Sequence, residues 1–300
     1  MESPLIINDG ITTQTIYYES AEQGLKQLST NSVHLMVTSP PYANLKDYGH
    51  PDQIGFGQTL FQYRQSLRNI FHECYRVLQE GRRMIINIGD LVISNKDASD
   101  STYRGNFYRE PLHAYVIEDM MACGFKYLGE ILWWKTGTHN PQNNGSPNIL
   151  GSYPYPPNAH ISAKFEYILL FRKREEPQKK NPRPHDEILS RSKLTKQQWE
   201  KYTNPIWHFQ GDHVEGHPAP FPIELPYRCI ALWSFWGETI CDPFIGTGST
   251  AQASKMLGRN CIGFEINPAY KDLQKHRIQQ NRSLLSFNGF QKGKKETSGI

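Results

Sequence analysis

Short apolar runs alternate along the chain with segments whose apolar residues recur at helical spacing, from about residue 14 to residue 280. That alternation is the signature of βαβ units around a parallel sheet. Strands are predicted at Gln14 to Tyr18 and Val33 to Thr38. A helix over Thr59 to Gln79 follows, because Tyr63, Leu67, Ile70, Cys74, Val77 and Leu78 share one face, and Gly81 is expected to stop it. Met84 to Gly89 reads as a buried strand and Pro111 to Cys123 as a helix with Leu112, Val116 and Met120 inward. Lys126 to Trp134 and Phe165 to Arg172 read as two more strands, separated by a Gly-, Pro- and Asn-rich loop too long for a tight turn. A second α/β run follows: a helix near Ile223 to Phe235, a strand into "ICD", a helix from Ser249, the strand "CIGFEI" and a helix from Pro268. No internal repeat of fixed period is visible.

Between the two runs, residues 172 to about 217 are polar and punctuated by proline, which marks an insert or small subdomain. Beyond about Ser283 the Lys/Gly/Ser-rich end predicts a disordered tail. Charge sharpens the first of these. The net charge is only +4, yet residues 172 to 201 hold ten Lys and Arg against five Asp and Glu. The basic character is therefore local, as a polyanion-contacting surface or a solvated insert would make it. With 300 residues, 38% hydrophobic and 21% charged, the chain can bury a core. The five cysteines are scattered, without a CxxC pair, which points to a reducing compartment and to neither disulfides nor zinc. The start "MESPLIINDG" has no basic n-region, and no run approaches the ~18 apolar residues of a membrane helix, so a cytosolic protein without membrane contact is expected.

Two stretches carry chemistry. In "DPFIGTGST", a strand meets a helix and Gly246, Gly248 and Ala251 satisfy G-x-G-x-x-G/A, a turn that lets a ligand approach backbone at the carboxyl edge of a parallel sheet. Glu265, 17 residues past Gly248, ends the next strand, where ribose hydroxyls would be held. A nicotinamide dinucleotide and S-adenosylmethionine both fit the glycines. The acid Asp242 and the aromatic Phe244 before the turn suit a cationic ligand better than a pyrophosphate.

The second stretch is Ser39-Pro40-Pro41-Tyr42, directly after the apolar run "VHLMV". The prolines hold the backbone extended and remove two N–H groups, leaving the Ser39 hydroxyl and main-chain carbonyls as acceptors. Such a corner would grip an exocyclic amine. Accepting its two N–H bonds turns a delocalised lone pair toward a methyl donor and stabilises the charge that develops, each group contributing ~3 kcal/mol. Tyr42 would stack on the ring of a base taken out of the duplex. No nucleophile or metal is required, and His208, His213 and His217 are not read as a metal site. An isolated S-P-P-Y would otherwise read as a Pro-rich recognition motif or a loop with a buried Tyr.

Together these stretches resemble the amino-group DNA methyltransferases, the N4-cytosine and N6-adenine family, in the arrangement with the catalytic motif ahead of the cofactor motif. The resemblance covers about Val33 to Arg172 and Trp207 to Arg277. It is carried by "TSPPY", "FHECYRVLQEGRRMIINIGD", "KFEYILLFRK", "HPAPFPIELPYRCI", "DPFIGTGST" and "GFEIN". It implies a Rossmann-like α/β fold, mostly parallel with an antiparallel edge hairpin, and S-adenosyl-L-methionine as cofactor. Ser39, Pro40, Pro41 and Tyr42 would hold the target base. Asp242, Pro243, Phe244, Gly246, Thr247, Gly248, Ser249 and Thr38 would lie at the methionine side, Glu265 at the ribose, with His217, Pro218 and Phe221 supporting the pocket. Serine at the first catalytic position is the family's usual mark of N4-cytosine, whereas Asp or Asn goes with adenine.

By the same resemblance residues 1–172 form the catalytic half, 213–282 the cofactor half of one domain, and 173–212 a target-recognition insert contacting double-stranded DNA. Arg183, Arg191, Lys193 and Lys196 are its candidate contacts. The setting implied is the cytoplasm of a bacterial or archaeal cell, with a restriction endonuclease as a functional, not physical, partner. Three other readings stay open: the same reaction at adenine N6, a nicotinamide-dependent oxidoreductase, and a DNA-binding protein without activity. The methyltransferase reading requires the Ser-Pro-Pro-Tyr corner and the glycine bend to face one cavity.

Overall fold

The computed structural model describes residues 2–42, 49–93, 108–135, 157, 164–175, 183–211 and 222–280. In chain order they form β1 (Leu5–Asn8), β2 (Thr13–Tyr17), α1 (Ala21–Gln27), β3 (Val33–Thr38), α2 (Leu60–Val77), β4 (Leu78–Ile88), β5 (Leu91–Ile93), β6 (Tyr108–Glu110), α3 (Leu112–Ala122), β7 (Lys126–Lys135) and β8 (Phe165–Arg172). Then come α4 (Asp186–Arg191), α5 (Lys196–Tyr202), β9 (Ile206–Phe209), α6 (Glu224–Trp233), β10 (Thr239–Asp242), α7 (Ser249–Met256), β11 (Asn260–Phe264) and α8 (Lys271–Gln279).

Nine strands make one sheet in the order β1-β2-β11-β10-β3-β4-β8-β7-β9. The pairs from β2 to β4 are parallel. β8 runs antiparallel to both β4 and β7, as the expected hairpin requires. The strands β1 and β9, absent from the sequence reading, form the two edges. Strand pleat sends alternate residues to opposite faces. On β3, Met36 packs with Leu67, Ile70 and Cys74 of α2 and Val116 and Met120 of α3. Leu35 and Val37 pack on the other face with Leu225 and Ile230 of α6 and Ala253 of α7.

Three local features explain how these elements end. Thr59 caps α2: its hydroxyl accepts from the Gln62 N–H and the Gln62 side chain accepts from the Thr59 N–H, a capping box. Gly81 does not stop the helix, contrary to the sequence reading. α2 turns straight into β4 at Leu78, and Gly81, at φ 73°, lies within the strand where the pairing with β3 shifts from Val33–Leu78 to Leu35–Arg83. The positive φ serves a bulge. The basic stretch is likewise tied to the sheet. Its β9 pairs parallel with β7, and Trp207, 1% exposed, donates its indole N–H to the Tyr202 carbonyl.

α2 and α3 are joined through Asp119, 1% exposed, whose carboxylate accepts from Arg64 Nε at 3.0 Å and Arg68 Nε at 2.7 Å. Replacing it with alanine takes the buried acceptor away from two guanidiniums at once. Asp119→Ala is expected to lower stability by about 3 kcal/mol, read from denaturant unfolding of the cofactor-free protein.

Candidate active site

From β3 the chain proceeds through α2 to β4 on one side, and from β10 through α7 to β11 on the other. The sheet order therefore reverses between β3 and β10, and a crevice opens at their carboxyl ends, where open α/β sheets bind ligands. Thr38 leads into Ser39-Pro40-Pro41-Tyr42 and Asp242 into the glycine bend. One cavity is lined by both: Ser39, Pro40, Pro41 and Tyr42 on one wall, Pro243, Phe244, Gly246 and Thr247 on the other, with Glu265 beyond them. The juxtaposition that the sequence reading required is present.

The corner is held from behind. The Tyr63 hydroxyl of α2 donates to the Pro41 carbonyl at 2.9 Å, which holds this peptide in place. The Tyr42 hydroxyl donates to Glu166 Oε2 at 3.1 Å, an oxygen that also accepts from Asn87 Nδ2 at 2.8 Å. Lys135 forms an ion pair with the other carboxylate oxygen. Glu166, Asn87 and Lys135 sit on β8, β4 and β7, so three neighbouring strands fix the tyrosine.

On the opposite wall Asp242 does not reach the cavity. It is fully buried, and its oxygens accept from the Thr38 hydroxyl at 2.6 Å, the Thr250 hydroxyl at 2.6 Å and the Phe244 N–H at 3.0 Å. It thus ties β3, β10 and α7 together and presets Phe244, rather than meeting a ligand directly. Burial raises its pKa to about 6, against the pull of these donors. Thr38 and Ser249, at 0% and 1% exposed, are also absent from the cavity wall. Gly246 and Gly248 have φ of 48° and 86°, and Gly248 N–H closes the bend on the Ile245 carbonyl at 2.9 Å. An L-side chain at Gly248 would be strained by its φ alone. Behind the bend, Gln274 Nε2 donates to the Gly246 carbonyl and Arg277 to the Thr247 hydroxyl.

Glu265 follows β11 and does line the cavity. It is 8% exposed, and Oε1 accepts from the Asn267 N–H at 2.9 Å. Burial pushes its pKa up to about 7, the backbone donors of Asn267 and Gly246 opposing. Sequence reasoning found this acid from its spacing to the glycines. It did not name Glu166, Asn87 or Lys135, although Asn87 and Glu166 lie within the quoted stretches "FHECYRVLQEGRRMIINIGD" and "KFEYILLFRK".

The structure does not bring the basic candidates to this cavity. Arg191 lies with its guanidinium 4.4 Å over the Trp236 ring, and the Ser192 hydroxyl accepts from the Trp236 N–H at 2.8 Å. Trp236 lies just before β10, at the amino end of the sheet. Arg183 and Lys193 share a groove with Arg82 and Arg83 of early β4. Arg83 pairs with Leu35, three residues before Thr38, so this groove opens toward the amino end of these strands rather than on the cavity at their carboxyl ends. Lys196 is exposed on α5 and pairs with Glu200. None of these four candidate DNA contacts lines the cavity. The partly buried Leu194 packs against the cluster that holds Ile230 and Ala231 of α6, and β9 pairs with β7, which fixes where the described part of the stretch lies. Phe221, His213, His217 and Pro218, the loop 136–156 and the tail from 283 lie outside the described residues.

Residues 33–276 match the family model of the N6/N4 DNA methylases. Over 311 aligned residues the chain is 33% identical to the type II methyltransferase M.MjaI of Methanocaldococcus jannaschii, covering 93% of this chain and 96% of that protein. It is 29% identical to the type II methyltransferase M.MthZI of Methanothermobacter thermautotrophicus, covering 91% and 78%. TTHA0409 of Thermus thermophilus, solved in complex with S-adenosyl-L-methionine, superposes with a TM-score of 0.69 at 30% identity, over 88% of this chain and 92% of that one. The PvuII DNA methyltransferase, a cytosine-N4-specific enzyme, shares the fold with a TM-score of 0.62 at 17% identity, over 90% and 88%.

Proposed function

The chain belongs to the N6/N4 DNA methylase family, and from that premise we propose that it transfers the methyl group of S-adenosyl-L-methionine to N4 of a cytosine swung out of double-stranded DNA. The observation that carries the reading is the shared cavity of Ser39 to Tyr42 and Phe244 to Glu265. The residues present fit the donor: Phe244 offers an aromatic face to a sulfonium, Gly246 leaves room for close approach, and the carboxylate of Glu265 lines the cavity where ribose hydroxyls would need an acceptor. When bound, the donor supplies an electrophilic methyl group.

The chain's own residues then do three things. The Ser39 hydroxyl and the Pro40 carbonyl accept the two N–H bonds of the target amine, while Tyr63 holds the Pro41 carbonyl from behind. That arrangement aims the nitrogen lone pair at the donor's side of the cavity and stabilises positive charge as it develops. Tyr42 stacks on the base, its ring angle fixed through Glu166. Serine at position 39 supports cytosine over adenine through the family pattern. The type II methyltransferases among the relatives support a restriction-modification role in a bacterial or archaeal cytoplasm, with a cognate endonuclease as functional partner.

Mass spectrometry of nucleosides from DNA incubated with the protein and S-adenosyl-L-methionine tests the reading. N4-methylcytosine is expected; N6-methyladenine overturns the base assignment alone, and no methylated base overturns the transfer itself.

A further inference from the structure

The amino end of the sheet, away from the active site, carries a second concentration of positive charge. A groove of about 720 Å³ opens there between α4, α5 and the end of α6, lined by Arg82, Arg83, Arg183, Lys193, Trp199 and Phe235. The acids around it are largely engaged. Glu238 pairs with Arg82 and Glu175 with Arg172. Asp186 meets Arg183 only at 3.9 Å, with both side chains more than four fifths exposed.

Arg83 stands apart. It is half-buried on β4, and among the described residues no acceptor bonds to its guanidinium. Burial and the neighbouring charges of Arg172 and Arg82 together lower its pKa. A guanidinium partly withdrawn from water and crowded by two others costs stability unless an anion compensates it. Trp199, 55% exposed at the groove, adds an aromatic surface beside the charge. A groove of several cations, Arg83 among them without a bonded acceptor in the described residues, beside an exposed indole has the composition of a nucleic-acid groove.

We propose that this groove holds the phosphodiester backbone of DNA outside the segment seated in the active-site crevice, as a second and sequence-independent contact. The proposal rests on DNA being the substrate, not on the roles of Ser39 or Tyr42. Charge complementarity commits it to the polyanion that this family acts on. Each phosphate neutralised there releases counterions and steepens the salt dependence of binding.

The test uses the full chain and duplexes of two lengths, one just covering the crevice and one several turns longer, with affinity measured over a salt series. In the variant carrying Arg83→Gln and Lys193→Gln, affinity for the long duplex is expected to fall about tenfold near 0.1 M salt. The slope of log affinity against log salt should flatten by ~1 to 2. Binding of the short duplex, S-adenosyl-L-methionine affinity and the transfer rate at saturating DNA are expected to stay at wild-type values. The thermal midpoint is not expected to drop, because Arg83 loses no partner among the described residues. An unchanged salt slope, an equal loss on both duplexes, or a lowered midpoint accounting for the change overturns the proposal. So does saturation of the groove by inorganic pyrophosphate with no effect on long DNA, which assigns it to small anions. A protein that shows the length effect but transfers no methyl group sinks the catalytic reading and leaves this one standing.

Discussion

Ser39→Ala and Tyr42→Ala are each expected to slow methyl transfer by about two to three orders of magnitude, with S-adenosyl-L-methionine affinity within about twofold of wild type. In the proposed mechanism Ser39 supplies one of two acceptors that act only as charge develops on the amine, so its loss would fall on the transition state and not on cofactor binding. Tyr42 would supply the surface on which an extruded base rests. Tyr42→Phe keeps the ring and loses the hydroxyl that donates to Glu166 and accepts from Asn87. It should cost about tenfold, the order of one hydrogen bond to a carboxylate. Glu166→Gln should cost less than Tyr42→Phe, because a neutral amide still accepts from the phenol and only the pairing with Lys135 is lost. Single-turnover incorporation of labelled methyl groups separates these outcomes. Wild-type rates in both alanine variants would show that the corner does not hold the base.

What sequence reasoning reached and what it missed divide on physical lines. Val33 to Thr38 is buried nearly throughout, so its apolar run marks the strand end to end. The edge strands β1 and β9 have four residues each and mixed exposure, and such runs carry little periodic signal. Gly81 was legible as a residue needing positive φ, but a helix terminus and a strand bulge make the same demand. Glu166 reads as one polar position within "FEYILLFR", and its partner Tyr42 is 124 residues away, so only tertiary structure pairs them. Asp242 was legible as an acid before the glycine bend. Its direction was not, since Thr38 and Thr250, which turn it inward, come from other elements. Charge likewise marks Arg183 to Lys196 as a surface, while the face it lies on is decided by where Leu194 and Trp207 dock. The reaction could be read from motifs because a corner and a bend at adjacent strand ends must meet; the recognition surface has no such constraint.

Between pH 5 and pH 8 the affinity for S-adenosyl-L-methionine is expected to rise while the stability of the cofactor-free protein falls. Burial raises the carboxyls of Glu265 to about 7 and Asp242 to about 6, above the ordinary range near 4 that they regain on unfolding. In this window the native state therefore binds more protons than the unfolded chain, so stability declines as pH rises. Their contribution is complete below about pH 4 and is lost as pH climbs through 6 to 7. It amounts to a few kcal/mol in total, at ~1.4 kcal/mol for every tenfold change in a carboxyl's acidity. A bound donor asks for the opposite protonation. Its ribose hydroxyls need acceptors and its sulfonium favours negative charge nearby, so Glu265 must ionise, and affinity should drop roughly tenfold for each pH unit below 7. Glu265→Gln, which cannot ionise, is expected to bind about ten- to a hundredfold more weakly at pH 8 and to lose most of the pH dependence. Calorimetric titration and thermal melts over the same pH series test both trends. A wild-type affinity that stays flat from pH 5 to 8 would show that Glu265 does not meet the cofactor.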